Sequence, residues 1–134
     1  MDMASACLVG VNCRYDGGEK TEPEIRERFM RGEIIPFCPE TLGSLPVPRL
    51  PMRLDGGTGG NVLDGKAKIV NETGGDTEML TAALIKGANK SAAIAAAIRP
   101  KKIYLKSKSV SCGVAVNGVT AELLKRAGFR LKEI

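Results

Sequence analysis

A chain of 134 residues, 43% hydrophobic and 26% charged, is long enough for one domain with its own core over 1–134, and this composition is globular and not that of a disordered chain. The net charge of +5 favours an anionic ligand or a nucleic-acid-derived substrate, but no basic cluster carries interleaved aromatics, which argues against sequence-specific nucleic-acid binding. There is no histidine, so Cys–His and Ser–His–Asp catalysis, mixed Cys/His zinc sites and histidine-ligated haem are excluded, while four cysteines leave thiolate chemistry open.

Along the chain, Met3 to Val9 reads as a strand running into a glycine turn, and Asp16-Gly17-Gly18 is a second turn signal. Thr21 and Glu24 have capping-box spacing, with Pro23 in the first turn of a helix that runs to Arg31 and stops at Gly32. Ile34 to Cys38 is an apolar run of strand length, and Pro36 within it points to a sheet edge or to the strand's first residues. From Pro39 to Gly60, prolines 39, 46, 48 and 51 and several glycines predict a long irregular loop, a kind that is usually functional. Val62-Leu63 and Lys68-Ile69-Val70 around Asp64-Gly65 predict a small hairpin. The longest helix spans Thr77 to Ile98, with Asp76 or Thr77 as its cap, Gly87 as a weak point and Pro100 beyond its end. Lys102 to Leu105 is a strand, Ser107 to Asn117 a turn-rich loop, Thr120 to Ala127 a helix, and Phe129 to Leu131 a closing strand.

Strands alternating with helices predict an α/β fold: a Rossmann-like, mainly parallel sheet flanked by helices, with a small hairpin insertion. Ligands of such sheets bind beyond the carboxyl ends of the strands. Cys7, Cys38 and Cys112 each fall at or just after a predicted strand end, so three segments deliver one thiol each to the same sheet edge. No secretory signal precedes them and no apolar stretch is long enough for a bilayer, so the expected location is cytoplasmic, where thiols stay reduced. Four reduced thiols point to a metal, a cluster or redox chemistry, against the plainer reading of small buried hydrophobes. No Cys-x-x-Cys pair is present, which disfavours a zinc ribbon and a thioredoxin-like dithiol. Four thiolates suit a structural zinc or a fully ligated cluster; three on a [4Fe–4S] cluster leave one iron open. The count does not choose between them.

Elsewhere the signals are weaker. Gly56-Gly57-Thr58-Gly59-Gly60 lacks the Lys-Ser/Thr ending of a P-loop and reads as a hairpin tip. Arg49 and Arg53 face either an anion or solvent. Taken alone, Glu40 is a carboxylate capping the Thr41–Gly43 turn, and Ser109 a turn hydroxyl.

Five short motifs occur in order over nearly the whole chain. They are Ser5-Ala6-Cys7-Leu8, Arg14-Tyr15-Asp16-Gly17, Cys38-Pro39-Glu40, Pro46-Val47-Pro48-Arg49 and Ser109-Val110-Ser111-Cys112-Gly113. Together they resemble the domain-of-unknown-function 523 family, some members of which are thiouracil desulfidases. The resemblance implies a Rossmann-like fold and an oxygen-sensitive [4Fe–4S] cluster on three cysteines, whose fourth iron takes sulfur from a thiolated nucleobase. Carried over by motif, Cys7, Cys38 and Cys112 are the ligands, and Glu40 and Ser109 are catalytic. Cys13 is a spare thiol, a fourth ligand or a core residue. Arg14, Tyr15, Asp16 and Ser111 are substrate contacts, with loop anchoring as the plainer role of the first three. Val110 stands where the family usually has proline. The alternative from another class is a non-enzymatic metal-binding module, with zinc as its simplest occupant. The oligomeric state is not encoded in any of these motifs.

Overall fold

The computed structural model describes residues 1–134. Strand β1 (Asp2–Ser5) is buried at every position and ends in a 3-10 turn over Ala6–Val9, so the strand is shorter than the apolar run predicts. Gly10 closes that turn at φ 101°, in the left-handed region that glycine enters without strain. Helix α1 (Pro23–Met30) follows, with Pro23 in its first turn. The Thr21/Glu24 capping box does not form: Glu22 is the N-cap and makes no side-chain bond, while Thr21 bonds Glu19 instead.

Strand β2 (Ile34–Phe37) leads into the short helix α2 (Pro39–Leu42). Next come β3 (Met52–Asp55), α3 (Gly59–Leu63) and β4 (Lys68–Asn71). Helix α4 (Thr77–Ile98), strand β5 (Ile103–Leu105), helix α5 (Val119–Arg126) and strand β6 (Leu131–Glu133) complete the chain. No helix is long and apolar enough to cross a membrane.

The four main strands form one sheet in the order β2-β1-β5-β6, every neighbouring pair parallel. The predicted parallel α/β sheet is therefore present, and Pro36 lies on an edge strand as expected, where a missing N–H is tolerated. Alternate residues of β1 serve the two faces. Met3 packs with Ile103, Leu105, Ala95 of α4 and Leu124 of α5, whereas Ala4 packs with Leu8, Ile34 and Ile25 of α1. Helices thus cover both faces. The chain leaves β1 towards β2 and returns past β1 to β5, which puts a topological switch point at β1, where such sheets bind ligands.

The expected small hairpin insertion is present between β2 and β5, but the antiparallel partner of β4 is β3, in register Met52↔Asn71 to Asp55↔Lys68, not Val62-Leu63. Met52 to Asp55 alternate between half-buried and exposed, a two-residue period hidden among prolines. Val62-Leu63 are helical because Thr58 and Asn61 form a reciprocal capping box, and Gly59 N–H and Gly60 N–H donate to Asn117 at 2.8 Å each. The glycine run is a packing joint: a Cβ at Gly59 would stand 2.3 Å from the Asn117 carbonyl oxygen. Capping of α4 by Asp76 or Thr77 is likewise absent; Asp76 sits at φ 57° and makes no side-chain cap bond.

Gly87, the weak point of α4 by propensity, has a packing reason. A Cβ there would stand 1.9 Å from the Pro39 carbonyl oxygen, and one at Gly43 would stand 2.2 Å from the Ala83 carbonyl oxygen. The two glycines let α2 lie backbone-to-backbone on α4, which fixes the segment carrying Cys38 and Glu40.

Candidate active site

At the carboxyl end of the sheet lies a cavity of about 450 Å³ whose lining includes all four cysteines, Glu40, Ser109, Arg14, Tyr15, Arg49 and Lys106. Cys7 comes from the 3-10 turn after β1, Cys38 from the junction of β2 and α2, and Cys112 from the loop between β5 and α5. Cys13 joins them from the loop after the turn. Cys7, Cys13 and Cys112 are buried, Cys38 is half-buried, and none is in a disulfide.

The thiols lie close enough to shift one another's protonation. The Cys38 thiol donates to the Cys13 carbonyl oxygen at 4.0 Å. The neighbouring Cys13 thiol holds Cys7 below its ordinary value, against burial. For Cys13, the neighbouring Cys38 lowers the thiol, but the neighbouring Cys7 and burial outweigh it and push it up to about 11. The neighbouring Cys13 and burial raise Cys38 well above the usual thiol range. Burial pushes Cys112 up to about 12, against a side-chain bond with Ser5. Burial favours the neutral form of all four thiols, and only at Cys7 do its neighbours outweigh it.

Glu40 is spanned by two donors. Arg49 Nε donates to its Oε1 at 3.0 Å, and Ser111 Oγ donates to its Oε2 at 2.9 Å. The Arg49 side chain is 7% exposed and that of Glu40 12%, so the pair is nearly removed from water. Arg49 also donates to the Cys13 carbonyl at 3.1 Å and the Pro46 carbonyl at 3.0 Å. Ser109 Oγ accepts from Ser111 N–H at 3.1 Å and Cys112 N–H at 3.0 Å. With both acceptor directions used, its one proton is left as a donor. The loop is close-packed around these bonds: a Cβ at Gly113 would lie 2.8 Å from the Ser109 carbonyl oxygen, and one at Gly118 2.7 Å from that of Ser111.

Of the anticipated substrate contacts, Arg14 and Tyr15 line the cavity. Ser111 does not; it is 1% exposed and spends its hydroxyl on Glu40. Asp16 is exposed on the neighbouring turn, where its Oδ1 accepts from Gly18 N–H at 2.8 Å. The sequence offered no sign that Arg49 is buried, since arginine is ordinarily a surface residue. Lys106 also went unnoticed; burial, then the nearby Arg14, lowers its ammonium below the usual lysine range.

No three Cys, Asp or Glu side chains close on one point as a single bound ion requires. The donors are soft thiols from separate segments around a roomy cavity, and that chemistry fits an iron–sulfur group.

Comparison with known proteins bears on the same residues. The family model for 2-thiouracil desulfurase matches residues 3–133. The uncharacterized protein YbbK of Bacillus subtilis (strain 168) is 38% identical over 144 aligned positions, covering 98% of this chain and 93% of that relative. The solved structure of TudS, a [4Fe-4S]-dependent thiouracil desulfidase, superposes with a TM-score of 0.83 at 29% identity, over 98% of this chain and 88% of that one. A match across nearly every residue, on the fold the motifs imply, decides the matter: this chain belongs to the 2-thiouracil desulfurase family, an enzyme family of the domain-of-unknown-function 523 type.

Proposed function

We propose that this protein is a desulfidase that exchanges sulfur for oxygen on a thiolated heterocycle such as thiouracil, with Cys7, Cys38 and Cys112 holding a [4Fe–4S] cluster and one iron left open. The observation that carries the reading is the meeting of thiols from three sheet-edge segments with Glu40 and Ser109 in one cavity, in a chain of a desulfurase family.

When bound, the cluster supplies a soft Lewis acid for the thiocarbonyl sulfur, which leaves its carbon open to water. The exchange of C=S and water for C=O and hydrogen sulfide transfers no net electrons. Glu40 takes a proton from the attacking water, a role supported by its place in the cavity and by the bonds from Arg49 and Ser111 that fix its orientation. Ser109 has only its proton to offer and donates it to the heterocycle. Arg14 and Tyr15 at the cavity wall orient the ring. Cys13 contributes a thiol beside Cys7 and Cys38 without being a ligand.

The test is anaerobic reconstitution with iron and sulfide, metal analysis, a visible absorption spectrum, and then thiouracil turnover. A brown protein with a constant iron-to-sulfide ratio that releases sulfide from thiouracil supports the reading. A colourless protein that refuses iron, or takes up only zinc, rejects it in favour of buried thiols or a structural metal site.

A further inference from the structure

We infer that Arg49 is a positioning residue that assembles the thiol cavity, joining three separate cysteine-bearing segments through one buried guanidinium. Its Nη2 reaches the Cys13 carbonyl at 3.1 Å, which fixes the loop bearing Cys13. Its Nε holds Glu40 Oε1 at 3.0 Å, which fixes the start of α2 two residues from Cys38. Through the other oxygen of Glu40, Ser111 Oγ at 2.9 Å fixes the loop bearing Cys112. The arginine's own segment is held in turn: Nη1 donates to the Pro46 carbonyl at 3.0 Å, and the backbone N–H of Arg49 donates to the Tyr15 carbonyl at 2.7 Å.

A planar fork with five N–H donors can serve a carboxylate and two carbonyls at once, whereas lysine presents one compact ammonium. At 7% exposure the fork has little water to fall back on, so each bond is part of the local structure. A simple ion pair would need only Glu40. The two carbonyl bonds go beyond that need, and one of them belongs to a cysteine.

The inference concerns the architecture of the apoprotein; it rests on the desulfidase reading only for the meaning of cluster loading. The experiment is site-resolved alkylation of the four cysteines in the metal-free, reduced protein, read by peptide mass spectrometry. The variants are Arg49→Lys, Arg49→Met, and Arg49→Met combined with Glu40→Leu. In Arg49→Lys, which keeps the charge, Cys13 alkylation rises at least about tenfold, because one ammonium cannot replace the fork. Arg49→Met leaves Glu40 buried without its partner and melts lower. The double variant removes both charges and regains the melting temperature, yet its Cys13 stays fast, since the carbonyl anchor is still missing. That split between recovered stability and unrecovered Cys13 protection separates a hub from an ion pair.

If the double variant regains wild-type Cys13 protection, or Arg49→Lys never loses it, the inference is overturned. Iron loading is measured on unalkylated portions of the same preparations. A wild type that takes up no iron while the alkylation pattern holds rejects the desulfidase reading and leaves the hub standing. A wild type that loads iron while Cys13 protection is unchanged in every variant does the reverse.

Discussion

Replacing Gly87 by alanine tests whether the contact between α2 and α4 positions the site. The new Cβ would meet the Pro39 carbonyl oxygen at 1.9 Å, and ordinary contact begins at 3.4 Å, so the start of α2 must retreat by about 1.5 Å. Overpacking of this kind costs about 1–3 kcal/mol, and a backbone carbonyl with no rotamer to escape into belongs at the upper end. Alanine in a helix interior returns about 1 kcal/mol over glycine. The net loss is about 2 kcal/mol, or a melting temperature lower by roughly 6–10 °C at this chain length. Pro39 lies between Cys38 and Glu40, so both move with it. Misplacement of a reacting group by about 1 Å costs on the order of 10²-fold in rate. Thermal unfolding and thiouracil turnover of the reconstituted protein measure the two effects. Ala96→Gly, on the exposed side of the same helix, is the control: it loses about 1 kcal/mol of propensity and keeps its rate. A Gly87→Ala protein that melts at or above the wild type and turns over at full rate would refute the argument, because α2 would not need the close approach.

Serine at Cys7, Cys38 or Cys112 abolishes stable iron and sulfide retention, while Cys13→Ser keeps full cluster content; iron and sulfide analysis after anaerobic reconstitution distinguishes three ligands from four. Glu40→Gln lowers the turnover number by about 10²–10⁴-fold, the usual worth of a positioned acid–base group, and steady-state kinetics on loaded protein reads it. Ser109→Ala loses one preorganised donor and about 10²-fold in turnover. Full activity in both of these last variants would remove the proton-handling roles assigned to them.

The fold was legible where periodicity and punctuation agreed. The long α4 pattern, the edge proline in β2 and the alternation of strands with helices all led to the parallel sheet. The first strand of the insertion was not, for a local reason: Met52 to Asp55 is a short half-exposed strand among prolines, and Val62-Leu63 is too brief an apolar pair to favour helix or strand. What makes that pair helical is the Thr58–Asn61 capping box together with bonds from Gly59 and Gly60 N–H to Asn117, 57 positions beyond Gly60. The cysteines at one sheet edge could be located because each follows a strand, and strand ends are where α/β sheets gather ligands. The hub around Arg49 could not, since a buried arginine looks like a solvated one until the carbonyls that receive it are in place.

The positive charge of the chain takes on a different meaning once its cations are located. A net +5 first suggests an anionic partner. Thiolates gathered in one cavity, however, repel each other, by about 4 kcal/mol for a pair at 4 Å and an effective dielectric of 20. Cations near the thiols offset that repulsion when ligation strips the thiol protons. Arg14 acts on Cys7 in this sense, and Arg49 acts on Cys13. The attraction is mutual: Cys7 favours the charged form of Lys106, which burial and Arg14 oppose. Arg49 is further tied to Glu40, so its charge serves the carboxylate and the thiol set together. Arg14 and Arg49, part of the basic excess, thus favour ionisation of Cys7 and Cys13, and Arg49 also holds the site's geometry through Glu40 and the Cys13 carbonyl.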